Sequence, residues 1–344
     1  MRVAVGFLGG IALSTALLAG CGQPAGGSGT ESKLTGEIII AGSSTVKPIT
    51  QNVAVEFAKL HGGVNVVIQE TGTGGGFKKF AANPPESAIS NASRPISASE
   101  REAAEASGTE FIEIPVAYDA LSVVVNPRNP VGELTVDQLR RIFRDGSNVN
   151  RWSDVDPSWP SEPIVIFMPG EASGTYDFFQ EAILGTETID GKKEKVRFRD
   201  DGVTKSESDN VLVKGIEGNQ WAIGFFGLAY YHENEATLKA IAVKRDDATP
   251  GVLPATETVF NETYVPLSRP LFIYVNTKDA ERAEVVAFVD FYLANAKTIV
   301  GATGYVPLTD AIYEAATKRW TSRTKGTMYV GETHGKGLLE LMAR

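Results

Sequence analysis

The chain has little of several residue types on which common chemistries depend. It contains one cysteine and three histidines in 344 residues. A single cysteine cannot form an internal disulfide or a cysteine-based zinc site. Lys and Arg (33) are outnumbered by Asp and Glu (42), which gives a formal net charge of −9. This acidic balance, without a long basic run, argues against a nucleic acid partner.

Recognisable catalytic arrangements are also missing. The three histidines are scattered and lie outside the Ser/Thr-rich segments, so Ser173 lacks the usual histidine base, and a lysine base is the alternative. No pair of carboxylates has a spacing typical of a metal or acid/base site. The Gly-rich segment 72–78 lacks the Gly-Lys-Ser/Thr ending of a nucleotide P-loop. We therefore expect no catalytic residue, metal or cofactor.

Residues 1–20 have the pattern of a cleaved leader. One positive charge precedes an apolar run that is too short for a permanent membrane span but suits a signal peptide. Leu18-Ala-Gly-Cys21 resembles the lipobox of bacterial lipoproteins, in which the cysteine carries the lipid. Residues 21–34 form a flexible tether. We expect an exported protein, periplasmic or on the cell surface, that is lipid-anchored through Cys21; a buried N-terminal helix is the alternative.

From Thr35 onward, short β-rich runs alternate with helical patterns, which indicates an α/β fold. Capping-box patterns at 97–100 and 135–138 predict helix starts. A short helix is predicted over 77–82, separate strands over 111–116 and 120–125, and a long helix over 279–293.

Segments 116–126 and 265–276 share one pattern: a polar or Pro-containing approach, an apolar strand and then Asn. We interpret them as two strands that cross between two lobes. The predicted lobes are 35–119 plus 273–344, and 120–272. Two coincidentally similar strands are the alternative.

Four segments combine glycine with small hydroxyl residues between a strand and a helix: 42–45, 72–76, 91–94 and 170–175. Helix N-termini present unpaired N–H groups and partial positive charge, and small residues let an anion approach them. An ordinary N-cap or turn explains any one segment alone. Arg94 could hold an oxyanion through two parallel hydrogen bonds, with a structural ion pair as the alternative.

In order along the chain, Ala41-Gly-Ser-Ser-Thr45, Thr71-Gly-Thr-Gly-Gly-Gly76, Ser90-Asn-Ala-Ser-Arg-Pro95 and Ala172-Ser-Gly-Thr175 resemble the ligand loops of one family. It is the phosphate-binding protein family of bacterial phosphate ABC transporters. The resemblance implies a two-lobed periplasmic-binding-protein-like fold (type II), with two crossing strands between the lobes and the ligand in the cleft. The resemblance implies ligand-binding roles for Ser44, Thr45, Thr73, Ser173, Gly174 and Thr175, and we add Ser93 and Arg94 of the third loop as predicted ligand-binding residues.

The sequence departs from the family pattern at two places. The third loop has no Asp to accept the phosphate proton, and Pro169 stands where the family has an Arg. We interpret Arg94 as the replacement guanidinium. Asp119, Asp177 and Asp209 stay open as proton acceptors.

The resemblance implies a monomeric receptor, without enzymatic activity, for inorganic phosphate and with ABC-transporter permease subunits as partners. The alternatives are a receptor for sulfate or molybdate, a phosphate sensor without a transport role, and an exported phosphoesterase. The basic segment 187–201 is interpreted as a solvated face, with an acidic patch on the permease as its alternative partner.

Overall fold

A computed structural model describes residues 34–171, 173–331 and 336–343. The main element of this part of the chain is a mixed sheet of nine strands. The predicted signal peptide, Cys21 and the tether up to residue 33 lie outside the described residues. The strands are β1 (Gly36–Gly42), β2 (Val64–Glu70), β3 (Ile89–Ala92), β4 (Phe111–Val125), β5 (Glu133–Thr135), β6 (Val165–Met168), β7 (Thr186–Ile189), β8 (Lys192–Lys195), β9 (Val203–Lys205), β10 (Ala222–Gly227), β11 (Lys239–Ala240), β12 (Ala242–Lys244) and β13 (Ser268–Asn276).

Helices cover the sheet and connect its strands, so the predicted α/β class is confirmed. A π-helical turn (Gln180–Leu184) follows α6, and a 3₁₀ turn (Asp279–Glu281) precedes α10. The α-helices are α1 (Lys47–Leu60), α2 (Gly72–Phe80), α3 (Ala98–Ser107), α4 (Val136–Phe143), α5 (Trp152–Val155), α6 (Gly174–Phe179), α7 (Asp209–Gly218), α8 (Leu228–Glu233), α9 (Thr256–Phe260), α10 (Ala283–Ala302), α11 (Asp310–Thr321) and α12 (Leu338–Met342).

The strand order of the main sheet is β2-β1-β3-β13-β4-β10-β6-β9, with β11 also paired to β4. The first three strands are mutually parallel, as are β10, β6 and β9. Between these two parallel groups lie β13 and β4, which pair antiparallel with each other and with their neighbours. Parallel β12 and β5 form one small separate sheet, and the antiparallel β7–β8 hairpin forms another.

Strand β4 is one continuous element of 15 buried residues, so the prediction of two strands at 111–116 and 120–125 was wrong. Its first part pairs with β13, and its last part pairs with β10 over Leu121–Val125. The strand continues through the predicted gap because β13 pairs with it there, although the register shifts where Leu271 pairs with Ala117 and Phe272 pairs with Pro115. The similar segments 116–126 and 265–276 thus lie on adjacent antiparallel strands. The lobe boundaries stay a prediction.

Helix α2 begins at Gly72, whereas the sequence predicts a loop followed by a helix over 77–82. Glycine has a low helix propensity, which hides this start in the sequence. Tertiary packing requires small residues here: a Cβ on Gly76 would lie 2.6 Å from the Cα of Gly42. The missing side chain lets α2 pack directly on the end of β1.

Both predicted capping boxes are present. Ser97 accepts a hydrogen bond from the backbone N–H of Glu100, and Thr135 accepts one from that of Gln138. In return, the side chain of Glu100 or Gln138 accepts a hydrogen bond from the backbone N–H of the N-cap residue. The helix predicted over 279–293 instead starts as a 3₁₀ turn and continues as α10 to Ala302.

Helix α10 is long and apolar enough to cross a membrane by length and composition alone. In this fold its apolar side chains pack in the core. Phe288 contacts Phe57 of α1 edge-to-face, with ring centroids 5.3 Å apart, and Tyr292 is fully buried. The packing of α10 against α1 therefore accounts for its apolar composition.

Candidate functional site

The hydroxyl-rich segments converge on a cavity of about 440 Å³. Its wall combines the first three predicted loops with Asp177 of α6, the π-helical turn and the base of the β7–β8 hairpin. The lining residues are Ser43, Ser44, Thr45, Gly72, Thr73, Gly74, Ser93, Arg94, Asp177, Gln180, Glu181, Gly185, Thr186 and Lys195. Five of the eight predicted ligand residues are in this wall: Ser44, Thr45, Thr73, Ser93 and Arg94.

The first loop follows β1 and leads into α1. Gly42 has a φ of +139°, and a Cβ there would lie 2.1 Å from the carbonyl oxygen of Asn91, so only glycine fits. The N–H of Ser43 then donates to that same carbonyl at 2.9 Å. Helix α1 has Val46 as its N-cap, which offers no side-chain acceptor to the first-turn amides. The N–H of Lys47 donates to the carbonyl of Ser43 at 3.1 Å and Pro48 has no N–H, so the side-chain donors that this loop brings to the cavity wall belong to Ser43, Ser44 and Thr45.

The second and third loops are joined by hydrogen bonds. The Oγ1 of Thr73 lies 3.0 Å from the Oγ of Ser93 and accepts the Ser93 backbone N–H at 3.2 Å. Thr73 stands near the start of α2, and Ser93 comes directly after β3. This pair fixes two hydroxyl groups side by side in the cavity wall.

Arg94 is held by a carboxylate in the same region. Its two terminal nitrogens donate to the two oxygens of Glu100, each at 2.8 Å, and one also donates to the carbonyl of Pro95. The hydrogen bond with Glu100 raises the pKa of Arg94. Burial pushes the pKa of Glu100 upward, but hydrogen bonds from Arg94 and Ser97 hold it below its ordinary value.

The sequence marks Glu100 only as a capping-box residue, yet it has this second role. A guanidinium has five N–H donors, and Glu100 and Pro95 engage three of those on Arg94. The ion pair predicted as an alternative role is therefore present. It orients Arg94 at the cavity wall and leaves donors for a ligand, so both roles stay compatible with the geometry.

The fourth predicted loop lies beside the cavity. Ser173 accepts the backbone N–H of Thr175 at 3.2 Å, which satisfies that amide within the loop. A Cβ on Gly174 would lie 4.0 Å from the Cα of Thr45, so the start of α6 abuts the first loop. Ser173, Gly174 and Thr175 are thus neighbours of the cavity rather than part of its wall.

Arg269, on β13, was missed by sequence reasoning although it lies in the segment 265–276. It faces Asp119 of β4 in the strand register, and its Nε and one terminal nitrogen each lie 3.4 Å from an Asp119 oxygen. The other terminal nitrogen donates to Glu181 at 2.8 Å. The guanidinium also stacks 3.8 Å from the ring centre of Phe178.

This guanidinium reaches the first loop as well. It donates to the Oγ1 of Thr45 at 3.2 Å, so the Thr45 hydroxyl serves as acceptor toward Arg269 and keeps its own proton for another partner. Arg269 therefore ties together Thr45, the buried Asp119 and the cavity residue Glu181. No sequence motif marks this contact, because its partners are 224, 150 and 88 residues away.

The three carboxylates proposed as proton acceptors occupy different environments. Asp177 lines the cavity. Asp119 is buried behind it against Arg269, and Asp209, whose pKa is raised by burial and by Glu207, is not in the cavity wall. The structure thus brings only one of the three beside the predicted ligand residues.

Several further cavity residues have no signal in the sequence motifs. Gln180, Gly185, Thr186 and Lys195 belong to the π-helical turn and the hairpin. The predicted solvated face at 187–201 includes this hairpin, whose strand β8 is exposed throughout. Among the residues that the structure describes, no group of three or more His, Cys, Asp or Glu side chains could hold a metal ion.

Known proteins are similar to this chain in sequence and in fold. A family model described as a PBP superfamily domain matches residues 27–296. The chain is 44% identical over 301 residues to Protein SphX of Synechococcus elongatus, covering 87% of this chain and 86% of that protein. It is 37% identical over 263 residues to the Phosphate-binding protein PstS of Staphylococcus saprophyticus, covering 76% of each.

A solved structure, described as a possible phosphate binding protein from Planctomyces limnophilus, superposes with a TM-score of 0.78. The two chains are 38% identical, and the alignment covers 85% of this chain and 99% of the other. The predicted two-lobed binding-protein fold is thereby confirmed.

The buried pair behind the cavity makes stability depend on pH. Burial raises the pKa of Asp119 to about 6, although the Arg269 charge opposes the shift. A carboxyl with a higher pKa in the folded state than in the unfolded state, about 3.9, binds its proton more tightly when folded. Its contribution to stability is therefore full below about pH 4 and is lost as the pH rises through 6.

We expect Asp119→Asn to remove this component. In urea titrations between pH 4 and 7, the free energy of unfolding should fall less steeply with rising pH than in the unaltered protein. Asp310→Asn, at an exposed residue paired with Lys297, is the matched control and should keep the original slope. If the free energy of unfolding had the same dependence on pH in all three proteins, Asp119 would not be the source of this pH dependence.

Proposed function

Because the chain belongs to the PBP superfamily and, within it, to the family of phosphate-binding proteins, we propose that it captures inorganic phosphate. Capture takes place outside the cytoplasmic membrane in this proposal, and the protein then delivers the phosphate to an ABC-transporter permease. The family consists of solute-binding receptors. The observation that carries the proposal is the convergence of Ser44, Thr45, Thr73, Ser93 and Arg94 on one cavity. These side chains supply hydroxyl and guanidinium donors, which suit a tetrahedral oxyanion with acceptor oxygens on every side.

The proposal assigns binding rather than chemistry to this cavity. Neither of the histidines that the structure describes, His61 and His232, lines it, so no described imidazole could act as a base for its serines. The hydroxyl groups of Thr73 and Ser93 are engaged with each other, as expected of groups fixed in position for hydrogen bonding. Preorganised donors favour affinity because less side-chain freedom is lost on binding.

Arg94 is proposed as the charged contact to phosphate. We expect Arg94→Ala to weaken phosphate binding by about 2–4 kcal/mol, since it removes charge-assisted hydrogen bonds. Calorimetric titration of the mature protein with phosphate measures this loss. Arg101→Ala, at a half-buried residue of α3 outside the cavity wall, is the control and should bind as the unaltered protein does.

Two results would contradict this part of the proposal. Unchanged affinity in the Arg94→Ala protein would assign Arg94 to the structural pair with Glu100 alone. An unaltered protein that shows neither binding heat nor a melting shift with phosphate would refute the phosphate receptor itself. Binding of sulfate or molybdate in its place would identify a receptor for another oxyanion.

Asp177 is proposed as the acceptor for the proton of bound phosphate. Sulfate carries no such proton at neutral pH, so Asp177 would face it without a hydrogen bond. We expect Asp177→Asn to reduce the ratio of phosphate affinity to sulfate affinity by about tenfold, which corresponds to the loss of one such hydrogen bond. Competition titrations measure the ratio, and Asp209→Asn, outside the cavity wall, should leave it unchanged. A ratio unaffected by Asp177→Asn would exclude this role.

Lipid anchoring is proposed from the leader and Cys21. In the source bacterium, Cys21→Ser should move the protein from the membrane fraction to the soluble exported fraction, because the thiol that would carry the lipid is lost. Immunoblots of the two fractions measure the change. Equal membrane association of both proteins would refute the anchor.

A further inference from the structure

The cations around the cavity are already matched by carboxylates, with one exception. Arg94 is bound by both oxygens of Glu100. Arg269, behind the first loop, is paired with Asp119 and Glu181. Lys195 also lines the cavity, and it is the one cation of the described wall for which the structure records no ion pair or hydrogen bond from its ammonium group.

Backbone pairing and hydrogen bonds at the base of the β7–β8 hairpin hold the backbone of Lys195 in place. It is the last residue of β8 and pairs with Thr186, the first residue of β7, which lines the same cavity. The next residue, Val196, donates its N–H to the carbonyl of Gly185 at 3.0 Å and accepts a bond from the Gln180 side chain at 3.1 Å. These bonds anchor the backbone of Lys195 to the π-helical turn that follows α6.

A second contact holds the other strand of the hairpin. Arg144, at the end of α4, forms an ion pair with Glu187 at 2.8 Å. Glu187 faces Glu194 in the strand register, one position further from the base than the Thr186–Lys195 pair. The hairpin is therefore attached on both strands, and the lysine at its base lines the cavity while it stays exposed to solvent.

Strand alternation separates the lysines of β8. Lys193 and Lys195 are two residues apart and share one face of the hairpin, whereas Lys192 projects from the opposite face. Lys192 and Lys193 are absent from the cavity wall. Because salt screens exposed charges beyond about 8 Å under physiological conditions, only the nearest ammonium retains much effect on a bound anion.

We propose that Lys195 is a ligand-binding residue: its ammonium supplies the uncompensated positive charge of the cavity and contacts the captured phosphate from the hairpin side. This inference rests on the proposed phosphate receptor and adds a residue that the loop motifs do not include. A lysine suits the role because its compact ammonium has three donors on a flexible stem and can follow an anion into the cavity. It also gives part of the basic segment 187–201 a function.

The test compares charge reversals at two positions of one strand. Lys195→Glu and Lys192→Glu change the net charge of the mature protein equally, and both lie on an exposed strand where folding should tolerate them. Calorimetric titration with inorganic phosphate at about 150 mM NaCl gives the affinities. We expect Lys195→Glu to weaken binding more than tenfold and Lys192→Glu less than twofold, with similar melting temperatures in the absence of phosphate.

A neutral variant separates contact from long-range repulsion. Lys195→Gln, which removes the charge without adding a negative one, should still weaken binding about tenfold, the usual worth of one hydrogen bond to a charged group. Equal losses in the two Glu variants, or no loss in Lys195→Gln, would overturn the assignment while phosphate binding itself stands. Absence of phosphate binding by the unaltered protein would overturn the receptor proposal and this assignment with it.

Discussion

The antiparallel pairing of β4 with β13 is the constraint on which the rest of the cavity depends. It runs from Phe111 to Ala120 on one strand and from Asn276 to Ser268 on the other, and it places Asp119 opposite Arg269. From that position the Arg269 guanidinium reaches both Thr45 and Glu181. A shift of one residue in this register would turn Arg269 to the other face of the sheet and release both contacts.

The two arginines at and behind the cavity wall are each paired with nearby carboxylates. An acidic chain can hold an anion because surface charges are screened over short distances, whereas donors in the cavity act at contact. Glu100 neutralises and orients Arg94, and Asp119 with Glu181 does the same for Arg269. Each guanidinium is thereby fixed in place, at the expense of part of its net charge. The wall also contains several hydroxyl groups, Asp177 and Lys195, to which we assign the remaining ligand contacts as proposals.

Sequence reasoning succeeded where the determining interactions are short-range. The capping boxes at Ser97 and Thr135 use residues three positions apart, and the alternation of strands and helices follows hydrophobic periodicity. It failed at the start of α2, where glycines oppose helix formation and tertiary packing favours it. It also divided β4, which is one continuous strand in which Asp119 pairs with the distant Arg269 of β13.

The sequence by itself determined the α/β class, the family resemblance and the hydroxyl residues of the first three loops, since these depend on local pattern and on motifs in fixed order. Only the tertiary structure decided which groups share the cavity. It brought Asp177 rather than Asp209 to the wall, gave Glu100 its second role and presented Lys195 from a hairpin. The physical reason is that side chains far apart along the chain meet through strand register and helix packing, which no spacing in the sequence encodes.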